Sequence, residues 1–481
     1  MATGRHMSTL VWFRSDLRCD DHAALHAAHT AGGAVTGLFL IADATWQRHH
    51  WGARKQRFVW EHAIALRERL AALGVPLHIL HAPRFADAAG AVLQLARDVS
   101  AERVLATAEY GADEIARDAQ VSGALSGAGI GWRLMHDACV LAPGTVRTRE
   151  AAPFKVYSPF RRAWLEQVRG EALGCVPAPS ARTPVTPPAL PAWRPPEADL
   201  DASWWPTGED AAHARLHAFC EGGLHAYHSA RDIPALDGTS RLSPYLATGV
   251  ISVRRCLQAA LAANNGEWDS GSRGAQIWIN ELIWREFYAH ILQAFPAVSR
   301  DRPFRPETEH VPWRTHADDL ARWKAGTTGF PLVDAAMRQL LATGWMHNRV
   351  RMLTGMFLSK HLLIDWRRGE EWFMEQLVDG ELAANNGGWQ WSASTGTDAA
   401  PYFRILSPER QAERFDADGA FVRRYVPEIA HCSTKALLKP GHPELLAAGY
   451  PTPMLDTRAA RERVMQAFRA AGLAAADDGA A

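Results

Sequence analysis

A chain of 481 residues exceeds the size at which one hydrophobic core usually stops growing, and its 47% hydrophobic and 22% charged content excludes a largely disordered protein. No apolar run reaches the ~18 residues of a membrane helix, and the six cysteines lack C-x-x-C pairing or metal-ligand spacing, so buried thiols in a reducing compartment are expected and a metal site is not. With 52 basic and 52 acidic residues the net charge is zero, which excludes a uniformly basic nucleic-acid binder but leaves room for a local basic stripe.

The first six residues precede a second methionine, Met7, and are set aside; no signal-peptide pattern follows, so the chain reads as cytoplasmic. From Leu10 short apolar runs alternate with amphipathic stretches: LVWF at 10–13, AVTGLFLI at 34–41, VPLHIL at 75–80, RVLAT at 103–107 and WRLMH at 132–136. This is the pattern of parallel βαβ units. Between two of them, Gln56 to Leu73 has helical apolar spacing, with Gly74 where a C-terminal cap is expected. An α/β domain over 7–145 follows. Val176 to Pro206 carries prolines at 177, 179, 184, 187, 188, 191, 195, 196 and 206, too many for a regular element, so 146–206 is read as an interdomain linker. Beyond it long helical periods dominate, for instance Ala275 to Phe295 and Thr327 to Leu363, and 207–470 is read as a helical domain. No repeat of 20–50 residues is visible, which weighs against a solenoid or propeller. The expected fold is an α/β N-terminal domain with a five-stranded parallel Rossmann-like sheet, joined by a long Pro-rich linker to an all-α C-terminal domain.

Tryptophans in the helical half fall in polar settings: Trp284 in NELIWREFY, Trp345 in GWMHNRVRM, and Trp389 and Trp391 in NNGGWQWSASTGTD. Packing explains any one of them. The segments WFRSDLR at 12–18, GTSRLSPYLATG at 238–249, ELIWREF at 281–287, GWMHNRVRM at 344–352 and DGELAANNGGWQWSASTGTD at 379–398 together resemble the photolyase and cryptochrome family, across both domains and in the family's order. The likeness is greatest to the class I branch that acts on cyclobutane pyrimidine dimers. It implies an antenna-type α/β domain and a helical domain that binds FAD and DNA. The implied activity is light-driven repair of such dimers by electron transfer from excited reduced FAD. A cryptochrome-type blue-light photoreceptor is the alternative.

Thr239, Ser240 and Ser243 supply hydroxyls and Gly238 permits close backbone approach, which suits a diphosphate or, equally, the start of the helix holding Leu246. By resemblance the cofactor cradle comprises Thr239, Ser240, Arg241, Leu242 and Ser243, with Tyr227 upstream and the turn of Asp379, Gly380 and Glu381. Arg351 and Asp379 match a family pair lying against the flavin, where a cation favours the anionic reduced form and a carboxylate orients it. Asn385 matches the residue facing the flavin's redox nitrogen and is the repair-type residue there. Asn386, ahead of Gly387 and Gly388, is read as a turn former.

Asn348 and Met352, four apart, share a helix face, as do Glu281 and Trp284, three apart. With Trp391 they match the family's dimer pocket: a stacking tryptophan pair, a polarising carboxyl and asparagine, and a methionine. The (6-4) branch holds histidines at the Asn348 and Met352 positions, and His347 is read as a packing residue. Arg231, Arg349, Arg404 and Gln411 match contacts to the DNA backbone, whereas Arg161 and Arg162 read as a solvated face. Trp389, Trp366 and Trp313 match the family's electron-carrying chain of indoles. Folate-binding relatives carry an Asn-Glu pair where this chain has Ala108 and Glu109, and Cys-Lys where it has Ser299 and Arg300, so the antenna stays open among a folate, a deazaflavin and none. The implied partner is damaged double- or single-stranded DNA, met at the nucleoid by a monomer with no membrane association.

Overall fold

The five apolar runs form five strands of one parallel sheet: β1 (Met7–Phe13), β2 (Gly32–Ile41), β3 (Leu77–His81), β4 (Arg103–Thr107) and β5 (Gly131–Met135), in the order β3-β2-β1-β4-β5. The computed structural model describes residues 7–170 and 173–473; residues 1–6, set aside above, lie outside the described residues. Central β1 is paired on both sides, Leu10 lying opposite Thr36 of β2 and Val104 of β4. Leu10, Val11, Trp12 and Phe13 are therefore all buried, which is why the strand reads as an unbroken apolar run and not as an alternation. Helix α1 (Ala53–Ala72) follows β2, and Gly74 behind it adopts the left-handed backbone, φ +80°, that ends a helix cheaply at glycine.

The connector is not uniform. It contains helix α2 (Tyr157–Arg169), which buries Phe160, Trp164, Leu165 and Val168, and residues 173–208 lack helix and strand. A proline-rich segment has few N–H groups to pair within itself, and α1 answers its carbonyls with arginines. Arg54 Nε reaches Asp199 O at 2.8 Å, Arg57 Nη1 reaches Ala198 O at 2.7 Å and Arg67 Nε reaches Pro188 O at 3.1 Å. Trp193 anchors the middle, donating to Asp43 Oδ2 at 2.8 Å.

Past the connector the chain is helical. The period at 275–295 becomes α3 (Arg273–Ala294). The period at 327–363 is not one helix but α4 (Pro331–Thr343), α5 (Asn348–Met356) and a π-helical turn at Phe357–His361, because Gly344 leaves the helical region at φ +70° and His347 caps anew. Then come α6 (Trp366–Gln376), α7 (Leu382–Ala393) and α8 (Pro408–Phe415). Asn386 lies inside α7 and is buried, so the turn expected from the following glycines does not form. The chain falls into two compact units. One comprises the chain up to His225 plus Ser240–Pro296, including the sheet and α3; the other comprises Ala226–Thr239 plus the chain from Ala297 onward.

Candidate active site

In the unit that holds the sheet, α3 buries Trp278, Ile279, Leu282, Ile283, Glu286 and Phe287. Glu281 and Trp284 stand together beside that face, both half-buried. The Trp284 indole lies flat on Tyr157 of α2, ring centroids 3.6 Å apart and planes 7° from parallel, with Phe287 edge-on at 5.7 Å. Tyr157 donates its hydroxyl to Asn280 O at 3.0 Å, so one face of the indole is held and covered. Tyr157 carries no signal in the sequence, since nothing local marks an aromatic whose partner is on another helix. Arg161, expected to be solvated, instead donates to Asn280 Oδ1 at 2.5 Å, while Arg162 is exposed. Glu286 is fully buried and accepts from Val140 N, from Leu141 N at 3.3 Å and from Trp164 Nε1 at 2.6 Å. One carboxylate thus ties α3 to α2 and to the chain after β5. Burial pushes it up to about 6 against those three hydrogen bonds.

In the second unit, Arg351 of α5 meets Asp379 at 2.8 Å and donates through Nε to Met346 O at 2.7 Å. The Asp379 side chain is 3% exposed, and its Oδ1 is buried without a partner. Glu381 commits both oxygens to capping α7, accepting from Ala383 N at 3.1 Å and Ala384 N at 2.9 Å, and buried Gly380 sits between the two acids. Asn385 donates its amide nitrogen to Glu370 O at 3.1 Å. Asn386 donates to Glu370 Oε1 at 2.9 Å and accepts from Gln390 Nε2 at 2.8 Å, which keeps a polar side chain inside the helix packing. Burial pushes the Glu370 carboxyl up to about 8, opposed by the Asn386 hydrogen bond. A carboxyl raised by folding stabilises the native state most below its ordinary 4.5 and loses that contribution as pH climbs through about 8. Glu370→Gln should therefore gain on wild type between pH 5 and 9, by on the order of 4 kcal/mol at most. Urea midpoints of both proteins at three pH values read this directly, and a constant difference would refute it.

His347 caps α5: its Nδ1 accepts from Arg349 N at 3.2 Å and its own N–H donates to Gln339 Oε1 at 3.0 Å. Burial pushes it down to about 4. Asn348 is exposed and Met352 half-buried on that helix. Arg349 Nη2 donates to Asp232 at 2.6 Å, and Arg231 Nε lies 3.7 Å from the same oxygen, with its guanidinium carbon 5.6 Å over the buried Tyr227 ring. Arg404 is exposed on a loop whose carbonyls, Pro401 O and Arg404 O, accept from the buried Lys360 at 3.2 and 2.9 Å. Gln411 on α8 has a buried, unpartnered Oε1, and Trp391 is half-buried near the end of α7.

Trp389 and Trp366 belong to one apolar cluster, against which the half-buried Trp313 packs. A Cβ at Gly369 would fall 2.1 Å from the Trp389 ring, so α6 is bare where that indole rests, three residues beyond Trp366. In the GTSRLS segment the chain passes from one unit to the other between Thr239 and Ser240. A Cβ at Gly238 would meet Ala230 at 2.7 Å, so its missing side chain serves packing on Ala230. Ser243 opens a one-turn helix, but Leu242 occupies the cap position, and Ser240 Oγ instead accepts from Leu242 N at 3.4 Å. Arg241 holds a left-handed φ of +48°, a strained conformation of the kind found at ligand clamps.

Of the antenna positions, Ala108 is buried, and Glu109 has its oxygens engaged by Ser15 Oγ and Arg117 Nη2, both at 2.8 Å. Among the described residues, Asp20, Glu209 and His213 could together face a cation, but Arg255 holds Asp20 at 2.8 Å and Glu209 accepts the Cys19 and Asp20 N–H groups at 2.9 and 2.7 Å. No helix among them is long and apolar enough to cross a membrane.

A family profile described as DNA photolyase matches residues 9–184, and one described as FAD binding domain of DNA photolyase matches residues 278–470. The chain is 43% identical over 473 residues to a protein of Vibrio cholerae named deoxyribodipyrimidine photo-lyase, covering 96% of this chain and 99% of that one. It is similar in structure to a bacterial class III photolyase from Agrobacterium tumefaciens, with TM-score 0.84, 33% identity, and 97% and 98% of the two chains covered. A cryptochrome of Synechocystis sp. PCC6803 gives TM-score 0.85 at 26% identity, with 95% and 98% covered.

Proposed function

The chain belongs to the DNA photolyase family, and from that premise we propose that it repairs cyclobutane pyrimidine dimers in DNA under blue or near-ultraviolet light with reduced, anionic FAD. The observation that carries this reading is the Arg351–Asp379 pair with its unpartnered Asp379 Oδ1, next in sequence to a helix that presents the Asn385 amide. A fixed cation suits the negative charge gathered on a flavin ring edge, and the spare Asp379 oxygen and the Asn385 amide oxygen are acceptors for its N–H groups, so these residues fit a flavin. When bound, reduced FAD supplies on excitation one electron, which returns after the two inter-base bonds have broken, leaving no net redox change.

The protein's part is positioning. Arg351, oriented by Asp379, favours the anionic flavin, and Tyr227, Thr239, Ser240, Arg241, Leu242, Ser243, Gly380 and Glu381 supply the surrounding cradle. Glu281 hydrogen-bonds the extruded dimer and stabilises charge arriving on it, Trp284 and Trp391 stack on it, and Asn348 and Met352 line its pocket. Arg231, Arg349, Arg404 and Gln411 hold the DNA backbone. The division into 7–145, 146–206 and 207–470 follows the same reading, and the enzyme acts as a monomer on chromosomal DNA in the cytoplasm. The antenna stays open among a folate, a deazaflavin and none.

Purified protein should carry one FAD per chain and, once reduced, restore pyrimidine pairs in irradiated DNA under light and not in darkness. Equal repair in darkness overturns the proposal, and bound flavin with no repair in light would place the chain with the photoreceptors.

A further inference from the structure

Asp232 lies outside the motifs that point to function, yet two of the four residues assigned to DNA converge on it. Its Oδ1 accepts from Arg349 Nη2 at 2.6 Å and lies 3.7 Å from Arg231 Nε. Each cation is also held from a second side. The Arg349 guanidinium carbon sits 4.4 Å over Phe415, a ring that Arg414 covers at 5.0 Å, and Arg231 sits 5.6 Å over Tyr227. Arg349 Nε is buried without a partner, and its backbone N–H is taken by the His347 cap. The side chains of Arg349, Arg231 and Asp232 keep 21%, 23% and 33% exposure.

A surface that binds phosphates gains affinity from every cation and loses it from every carboxylate. Stability is a weak reason for the carboxylate, since ion pairs this exposed contribute little. Its geometry offers a stronger one. An arginine free to swing can follow the regular phosphate spacing of any duplex, whereas one tethered by a carboxylate and a ring meets only a phosphate that comes to it. Extruding a lesion displaces the backbone from its regular path.

We propose that Asp232 is a specificity-determining residue of the DNA face: it tethers Arg349 and Arg231 for the displaced backbone at a lesion and weakens their hold on intact duplex. The inference rests on the assignment of Arg349 and Arg231 as backbone contacts, and deepens it. The test is dark anisotropy titration of the FAD-loaded protein. The probes are a labelled duplex bearing one cyclobutane thymine dimer and the same duplex without it, over a series of salt concentrations.

Asp232→Asn should bind intact duplex roughly three- to tenfold tighter, with a salt slope steeper by about one. The lesion duplex should change less, so the preference for damage falls. Asp232→Glu, which keeps the charge, should restore the preference. Parallel weakening on both duplexes, no change on either, or a Glu variant that behaves like the Asn variant would each overturn the proposal. Arg349→Ala tests the underlying assignment separately: weaker binding to both duplexes supports it, and unchanged binding removes it whatever Asp232→Asn does. Flavin absorbance of each variant confirms that it has folded.

Discussion

Under identical blue light, an oligonucleotide carrying one cyclobutane dimer is expected to be restored and one carrying a (6-4) photoproduct to be left unchanged. Opening the (6-4) adduct needs a proton delivered to and taken from an oxygen substituent, which calls for a group that titrates near neutrality. Asn348 and Met352 offer an amide and a thioether. The neighbouring His347 does not fill the gap: its Nδ1 is occupied by the Arg349 N–H, and burial holds it near 4, so it is neutral and has no ready proton at pH 7. Splitting the cyclobutane ring requires only an electron and hydrogen bonds to stabilise it. Asn348→Ala should weaken dimer repair by about 1–3 kcal/mol if its partner is left buried and unpaired. Parallel assays on the two lesions decide the matter, and efficient reversal of the (6-4) substrate would overturn the pocket assignment.

Trp313→Phe is expected to abolish photoreduction of the oxidised flavin while leaving repair by chemically reduced enzyme largely intact. Trp313 is the best of the three indoles for this test. It is half-buried at the rim of its cluster, with the Phe468 ring edge-on at 6.1 Å, so phenylalanine keeps an apolar contact and solvent fills the lost volume. Trp366 is 1% exposed, and the same change there would leave a cavity and confuse relay with stability. Photoreduction followed by flavin absorbance, and repair measured after chemical reduction, separate the two roles once flavin content is matched. If repair collapses together with photoreduction, the indole serves catalysis and not activation.

Local pattern alone determined much of this protein. Apolar runs of strand length marked all five strands, and in the central β1 the run is unbroken because a strand covered on both faces is apolar at every position, as Leu10 to Phe13 are. The helical period of α1 and its Gly74 stop were equally plain, and long motifs such as GWMHNRVRM pointed to the family because several residues with unlike chemistry stand in one short register. What only the tertiary structure decided concerns pairs brought together from distant parts of the chain. Tyr157 under Trp284, Asp232 between Arg349 and Arg231, and Glu109 held by Arg117 and Ser15 leave no periodic trace, since each contact depends on how two elements pack. Asn386 shows the same cause acting against local preference. Asn-Asn-Gly-Gly favours a turn, but the Glu381 cap starts a helix ahead of it, and buried hydrogen bonds to Glu370 and Gln390 outweigh the propensity of the four residues.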